Sequence, residues 1–191
     1  MKQITMLLAA AFFCMLGSCD NPQYSLVGDW EIAPDSELAQ EDITLFFRKE
    51  NDTYYPTTLS YSLSASGLLS IEKGRDRAVC CFGGIDKHFV DLRQQTQLSK
   101  EKQFIIRRML ARLRPRTLSS DFPFALSQGC GFIDDSRPWN VVSFSQGKVG
   151  GLFIFQPQCE GVSAGKTKHL LRSVVAEFPP VGGSMSFLEG H

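Results

Sequence analysis

The sequence predicts an α+β domain: a curved antiparallel sheet with two helices packed against it. Three patterns predict it. Leu59, Tyr61 and Leu63 alternate with polar residues, the two-residue period of a half-buried strand. Over Phe104 to Arg114, Ile105, Ile106, Met109, Leu110 and Leu113 fall within one arc of about 140° at helical spacing. Apolar runs on either side of Gln146-Gly147-Lys148 have the form of a hairpin.

The elements follow in order. Leu26 to Ile32 reads as a first strand and Ile43 to Arg48 as a second, with a turn at Glu50-Asn51-Asp52. Thr53 to Ser64 is a strand in which Pro56 marks an edge or a bulge, because proline donates no ladder hydrogen bond. Ser66-Gly67 turns into Leu68 to Glu72, and Gly74 leads into a separate strand, Ala78 to Phe82. Gly83-Gly84 breaks the chain before His88 to Leu92. Ser99 is an N-cap for the helix that carries the 140° arc, and Pro115 ends it. On that helix Arg107, Arg108, Arg112 and Arg114 are expected opposite the apolar arc, facing water or the acidic N-terminal block, with contact to anionic lipid or an acidic partner as the functional alternative. Asp121 to Pro138 reads as loop, punctuated by Pro123, Gly129, Gly131 and Pro138. Asn140 to Ser145 and Gly151 to Gln156 form the hairpin. Ser163 opens a second helix carrying Leu170, Leu171, Val174 and Val175, stopped by Pro179-Pro180, and Met185 to Leu188 adds a short last strand.

The first twenty residues have a different character. Lys2 is followed by Ile4 to Leu16, apolar everywhere except Thr5. As a helix this run spans about 20 Å, against about 30 Å of bilayer hydrocarbon, which suits a signal-peptide core and not a membrane span. Leu16-Gly17-Ser18-Cys19 comes next. These four residues resemble the lipobox of bacterial lipoproteins. The resemblance implies that signal peptidase II cuts before Cys19, which then carries a diacylglyceryl group on its sulfur and often an amide-linked acyl chain. Two or more chains anchor a protein stably where one does not. Asp20, directly after the cysteine, resembles the signal for inner-membrane retention in enteric-type bacteria, with the outer membrane as the alternative. Residues 1–18 are thus expected as signal peptide, 19–25 as a lipidated tether and 26–191 as one domain.

Composition fits that organisation. The chain has 43% hydrophobic and 21% charged residues, ordinary for a globular domain. A net charge of zero conceals a polarity. Cys19 to Glu72 holds ten acidic and two basic residues, and Lys73 to Ser119 holds twelve basic and four acidic. Both blocks contain strong apolar patterns, so they are expected to pair with each other in a folded domain rather than to act as tails.

Beyond Cys19, the cysteines Cys80, Cys81, Cys130 and Cys159 are candidates for disulfides in an oxidising compartment. Cys80 and Cys81 would point to opposite faces of a strand, so each would bond elsewhere. Val27-Gly28-Asp29-Trp30 resembles the G-x-W of lipocalin-type barrels, which implies a carrier of a small apolar ligand with Trp30 at the barrel floor. Gln128-Gly129-Cys130-Gly131-Phe132 resembles the nucleophile turn of cell-wall cysteine peptidases, with His169 as the downstream base. That motif departs from the family in having Gly129 before the cysteine and no serine after it. Gly161-Val162-Ser163-Ala164-Gly165-Lys166-Thr167 is one residue short of a phosphate-binding loop and reads as a helix start. His88, His169 and His191 lack metal-ligand spacing, and Asp134-Asp135 lacks a calcium-loop pattern. No metal, cofactor or nucleic acid is expected. The expected function is a membrane-anchored envelope lipoprotein with a non-enzymatic periplasmic domain that binds a protein partner or ligand. A lipocalin-like carrier and a cell-envelope hydrolase are the alternatives.

Overall fold

The computed structural model describes residues 35–49, 55–78, 85–121, 124–126, 140–158, 161–182 and 184–188. A short helix, α1 (Asp35–Leu38), leads into β1 (Asp42–Lys49), β2 (Thr57–Leu63), β3 (Leu68–Ala78) and β4 (Ile85–Gln97). Helix α2 (Lys100–Leu110) continues as a 3₁₀ turn, Ala111–Leu113. Then come β5 (Phe124–Leu126), β6 (Asn140–Gln146), β7 (Val149–Phe155), α3 (Val162–Glu177) and a closing 3₁₀ turn, Ser184–Leu188. The fold is α+β.

The strands form one open sheet in the order β4-β3-β2-β1-β6-β7-β5. Six strands are antiparallel to their neighbours, and β5 lies parallel beside β7. Because side chains alternate across a strand, the register lines up apolar residues in rows on one face. One row is Ile71, Tyr61, Leu45, Val142 and Phe153, and another is Leu69, Leu63, Ile43 and Phe144. Ile106 and Leu110 of α2, and Leu171 and Val174 of α3, close over these rows and are fully buried. Tyr61 stacks on Phe178 just beyond α3, with ring centroids 4.5 Å apart. The opposite face carries Thr44, Ser60, Ser62, Ser70 and Ser143, all half-buried.

Several boundaries differ from the sequence reading. Strand β3 runs through Gly74 from Leu68 to Ala78, and residues 79–82 of the separate strand expected there lie outside the described residues. Gly74 sits where β4 carries an extra residue, between the pairs Lys73–Leu92 and Gly74–Val90. A Cβ there would stand 2.4 Å from the Phe89 carbonyl oxygen, so the glycine admits a close backbone approach instead of ending the strand. The strand expected over His88 to Leu92 runs on through Gln97. As the sheet's edge it needs no apolar alternation. Helix α2 starts where expected, at its cap: the Ser99 hydroxyl accepts from the Lys102 N–H. Met185 to Leu188 falls in a 3₁₀ turn and not a strand, burying Phe187 and Leu188. The Asp121 to Pro138 stretch contains β5. The hairpin turn at Gly147 (φ 61) lies where expected, and its second strand begins at Val149.

The open sheet also departs from the lipocalin-like expectation, which requires closure; among the described residues β4 and β5 are separate edges. Trp30, the Leu26 to Ile32 strand, Cys19, Asp20, Cys80, Cys81, Cys130, Cys159, Asp134, Asp135 and His191 lie outside the described residues.

Candidate functional site

The arginines of α2 do not share one outward face. Arg107 is only 4% exposed. Its guanidinium turns under α1 and donates to three backbone carbonyls: Leu38 at 2.8 Å, Glu41 at 2.5 Å and Ser64 at 2.6 Å. Burial pushes its pKa down from the ordinary arginine value, opposed by the nearby Glu41 and Asp42 carboxylates. Arg114 also turns inward: Nε donates to Oε1 of the fully buried Glu41 at 2.7 Å, and Nη2 lies 3.8 Å from Glu37. The expectation that Arg107 and Arg114 contact lipid or a partner is therefore corrected. The carbonyls of Leu38, Glu41 and Ser64 converge at the end of α1 and the β2–β3 turn, and the buried guanidinium donates to all three, adding to the backbone N–H groups that Leu38 and Ser64 already accept.

Arg108 and Arg112 do face out. Arg108 donates to both carboxylate oxygens of Asp35, at 3.0 and 3.2 Å, and its guanidinium carbon stands 5.7 Å from the centroid of the Phe104 ring. The acidic α1 and the basic α2 thus pair, as the charge polarity predicts. Between them lies a groove of about 290 Å³ lined by Leu38, Ala39, Ala65, Gln103 and Phe104, with Lys100 and Arg108 among its cations. Phe104 is 50% and Ile105 38% exposed. Ile105 was placed in the buried arc by periodicity; the covered flank of α2 is instead the one on which α1 sits.

Helix α3 presents a second cationic surface. Lys166, His169 and Arg172 are exposed, and Gly165, Lys168, His169, Arg172, Ser173 and Ala176 line a shallow depression. His169 Nδ1 lies 3.3 Å from the Ser173 hydroxyl, one helical turn on. The cysteine expected to use this histidine, Cys130, is outside the described residues.

A third cluster, not foreseen, lies on β3 and β4. His88 sits between two carboxylates: Nδ1 is 2.5 Å from Asp76 Oδ1 and Nε2 is 3.0 Å from Glu72 Oε1. Asp76 is 3% exposed. Arg93 donates to Glu72 Oε2 through Nε at 2.9 Å and Nη2 at 2.6 Å. The hydrogen bond to Asp76, more than that to Glu72, raises the His88 pKa, while partial burial opposes the rise. Arg93, then His88, lowers that of Glu72. With both ring nitrogens against carboxylates, His88 bridges the hairpin, and the site favours its charged form. The signal for this cluster is the strand register, which brings Asp76 opposite His88 and Glu72 opposite Arg93. A reading that broke the strand at Gly74 separates them.

Among the described residues, no group of three or more His, Cys, Asp or Glu side chains is placed to hold a metal ion, and no helix is long and apolar enough to cross a membrane. No protein-family model matches the chain, and no curated protein matches it.

Proposed function

We propose that this chain is a bacterial envelope lipoprotein, held in the membrane by acyl chains on Cys19, whose domain works by binding rather than by catalysis. The observation that carries the reading is the order of features in the leader: Lys2, the apolar run Ile4 to Leu16, then Leu16-Gly17-Ser18-Cys19. Asp20 favours the inner membrane, with the domain in the periplasm. Sixteen positions separate Cys19 from Asp35, a reach of at most about 55 Å when extended. That keeps the domain close to the bilayer. The groove between α1 and α2, with Phe104 and Ile105 exposed beside it, supports a binding role. The reading is tested by fractionating cells and measuring the intact mass of the wild type beside Cys19→Ala. The wild type should be found in membranes with the mass of its acyl groups, and the variant should lose both. A soluble wild type of unacylated mass would refute anchoring.

A further inference from the structure

We infer that the outer surface of the two-helix layer docks on an anionic bilayer. This inference rests on the lipoprotein reading for its tether, but its own grounds are separate. Helices α2 and α3 lie side by side over one sheet face, joined by the shared core and by Lys102 Nζ reaching the Glu177 carbonyl. On α2 and the 3₁₀ turn after it, Lys100, Lys102, Arg108 and Arg112 are exposed; the acids beside them are Glu101 and, on α1, Asp35, which pairs with Arg108, and Glu37. On α3, Lys166 and Arg172 are exposed and Lys168 half-buried, against a half-buried Glu177. Both helices therefore contribute cations of one sign to the surface turned away from the sheet.

Apolar side chains stand among these charges. Phe104 is 50%, Ile105 38% and Val162 78% exposed, the first two on α2 and the third at the start of α3. Large exposed apolar groups among lysines and arginines suit the headgroup boundary of a bilayer, where the apolar groups insert shallowly and the cations meet lipid phosphates. On the opposite sheet face the acids Glu72 and Asp76 are matched by His88 and Arg93. Asp35 of α1 is paired with Arg108 of α2, so the stretch that begins at Cys19 joins α1 at the edge of the surface proposed to dock. An acidic protein partner is the competing occupant. The tether's short reach and the exposed apolar residues favour lipid.

The test uses the full chain, made in bacterial membranes and reconstituted in vesicles of phosphatidylcholine alone or mixed with phosphatidylglycerol. Ile105 or Val162 is replaced by the photoreactive residue benzoylphenylalanine, with Val90 on the edge strand β4 as the distal control. After vesicle flotation and illumination, lipid adducts at positions 105 and 162 should exceed those at 90 at least fivefold in anionic vesicles. Added salt should lower them. Arg112→Glu with Lys166→Glu should lower the yield by about fivefold or more, from the loss of cations beside an anionic surface. Protein that floats with both vesicles but gives equal adducts at 105 and 90 overturns docking while leaving the anchor intact. Protein that floats with anionic vesicles alone overturns the anchor while supporting docking. Protein that floats with neither overturns both. A protein adduct in place of lipid at position 105 in intact cells overturns docking in favour of an acidic partner.

Discussion

Replacing Arg107 by methionine isolates what a buried guanidinium contributes to this fold. The methionine keeps most of the aliphatic stem, so packing against Leu38 and the core changes little. Three carbonyls, those of Leu38, Glu41 and Ser64, lose a charge-assisted bond, while Leu38 and Ser64 keep backbone donors in the N–H groups of Glu41 and Gly67. Hydrogen bonds to a charged donor are worth about 1.5–3 kcal/mol each. Relief of the cation's own desolvation, several kcal/mol, offsets part of the loss. Three such bonds less that relief leave a net cost of about 3–5 kcal/mol. At a urea slope of about 2 kcal/mol/M the unfolding midpoint should fall by roughly 1.5–2.5 M. The melting temperature should fall by roughly 6–20 °C, at about 2–4 °C per kcal/mol for a chain of this size. Equilibrium urea unfolding at pH 7, followed by far-ultraviolet circular dichroism, measures the change. Amide exchange should speed up first in the β2–β3 turn and in α1, the two segments that Arg107 joins to α2. A midpoint shift below about 0.5 M, or about 1 kcal/mol, would show that the corner is held by other contacts.

Three further outcomes are expected. His88 gains carboxylate partners on folding, so its folded pKa lies above the unfolded value of about 6.5. Its stabilisation is full below about pH 6.5 and is lost as the pH rises through the folded pKa, whereas the lowered Glu72 pKa supports stability above about pH 4.3 that is lost on acidification. Urea midpoints across pH 5 to 9 should decline on the alkaline side for the wild type and flatten there for His88→Gln; parallel curves would refute the bridge. Leu110→Ala should cost about 2–5 kcal/mol at a fully buried site, while Ile105→Ser stays within about 0.5 kcal/mol, and equal losses in urea unfolding would contradict the observed face of α2. Gly74→Val should cost about 1–3 kcal/mol by crowding the Phe89 carbonyl; a thermal melt unchanged within error would show that the β4 backbone shifts aside without penalty.

The contrast between Ile105 and Arg107 shows how far the sequence could be read. Five apolar residues in one arc located the helix and its cap at Ser99, because a helix must bury an apolar stripe. The arc could not say what covers each flank. Helix α1 is four residues long with a single buried apolar residue, Leu38, so periodicity gave no sign of it. Once α1 lies beside α2, the flank bearing Arg107 is enclosed and the one bearing Ile105 is open. Strand order was legible where turns are short, as across Gly67 and Gly147. It was not legible at β5, whose parallel pairing with β7 depends on a long connection. The polar stretch Arg93 to Gln97 hid a strand because edge pairing is a backbone property that leaves little trace in side-chain hydropathy.

The charge polarity shows how pairing at one place can leave a field at another. The acidic block does not neutralise the basic block evenly. Asp35, Glu37 and Glu41 engage Arg108 and Arg114 at the α1–α2 corner, and Glu72 engages Arg93 and His88 across the hairpin. Each is a short-range match, and salt screens exposed charges beyond about 8–10 Å. Among the described residues, Lys100 of α2, Arg112 of the 3₁₀ turn after it and Lys166 of α3 are exposed cations outside these pairs. Among the described residues, ion pairing is thus gathered at one corner and one hairpin, and the exposed lysines and arginines of the two helices outnumber their acids, Glu101 and Glu177. A net charge of zero carries no sign of this arrangement, because it depends on which residues the strand register and the helix packing bring together.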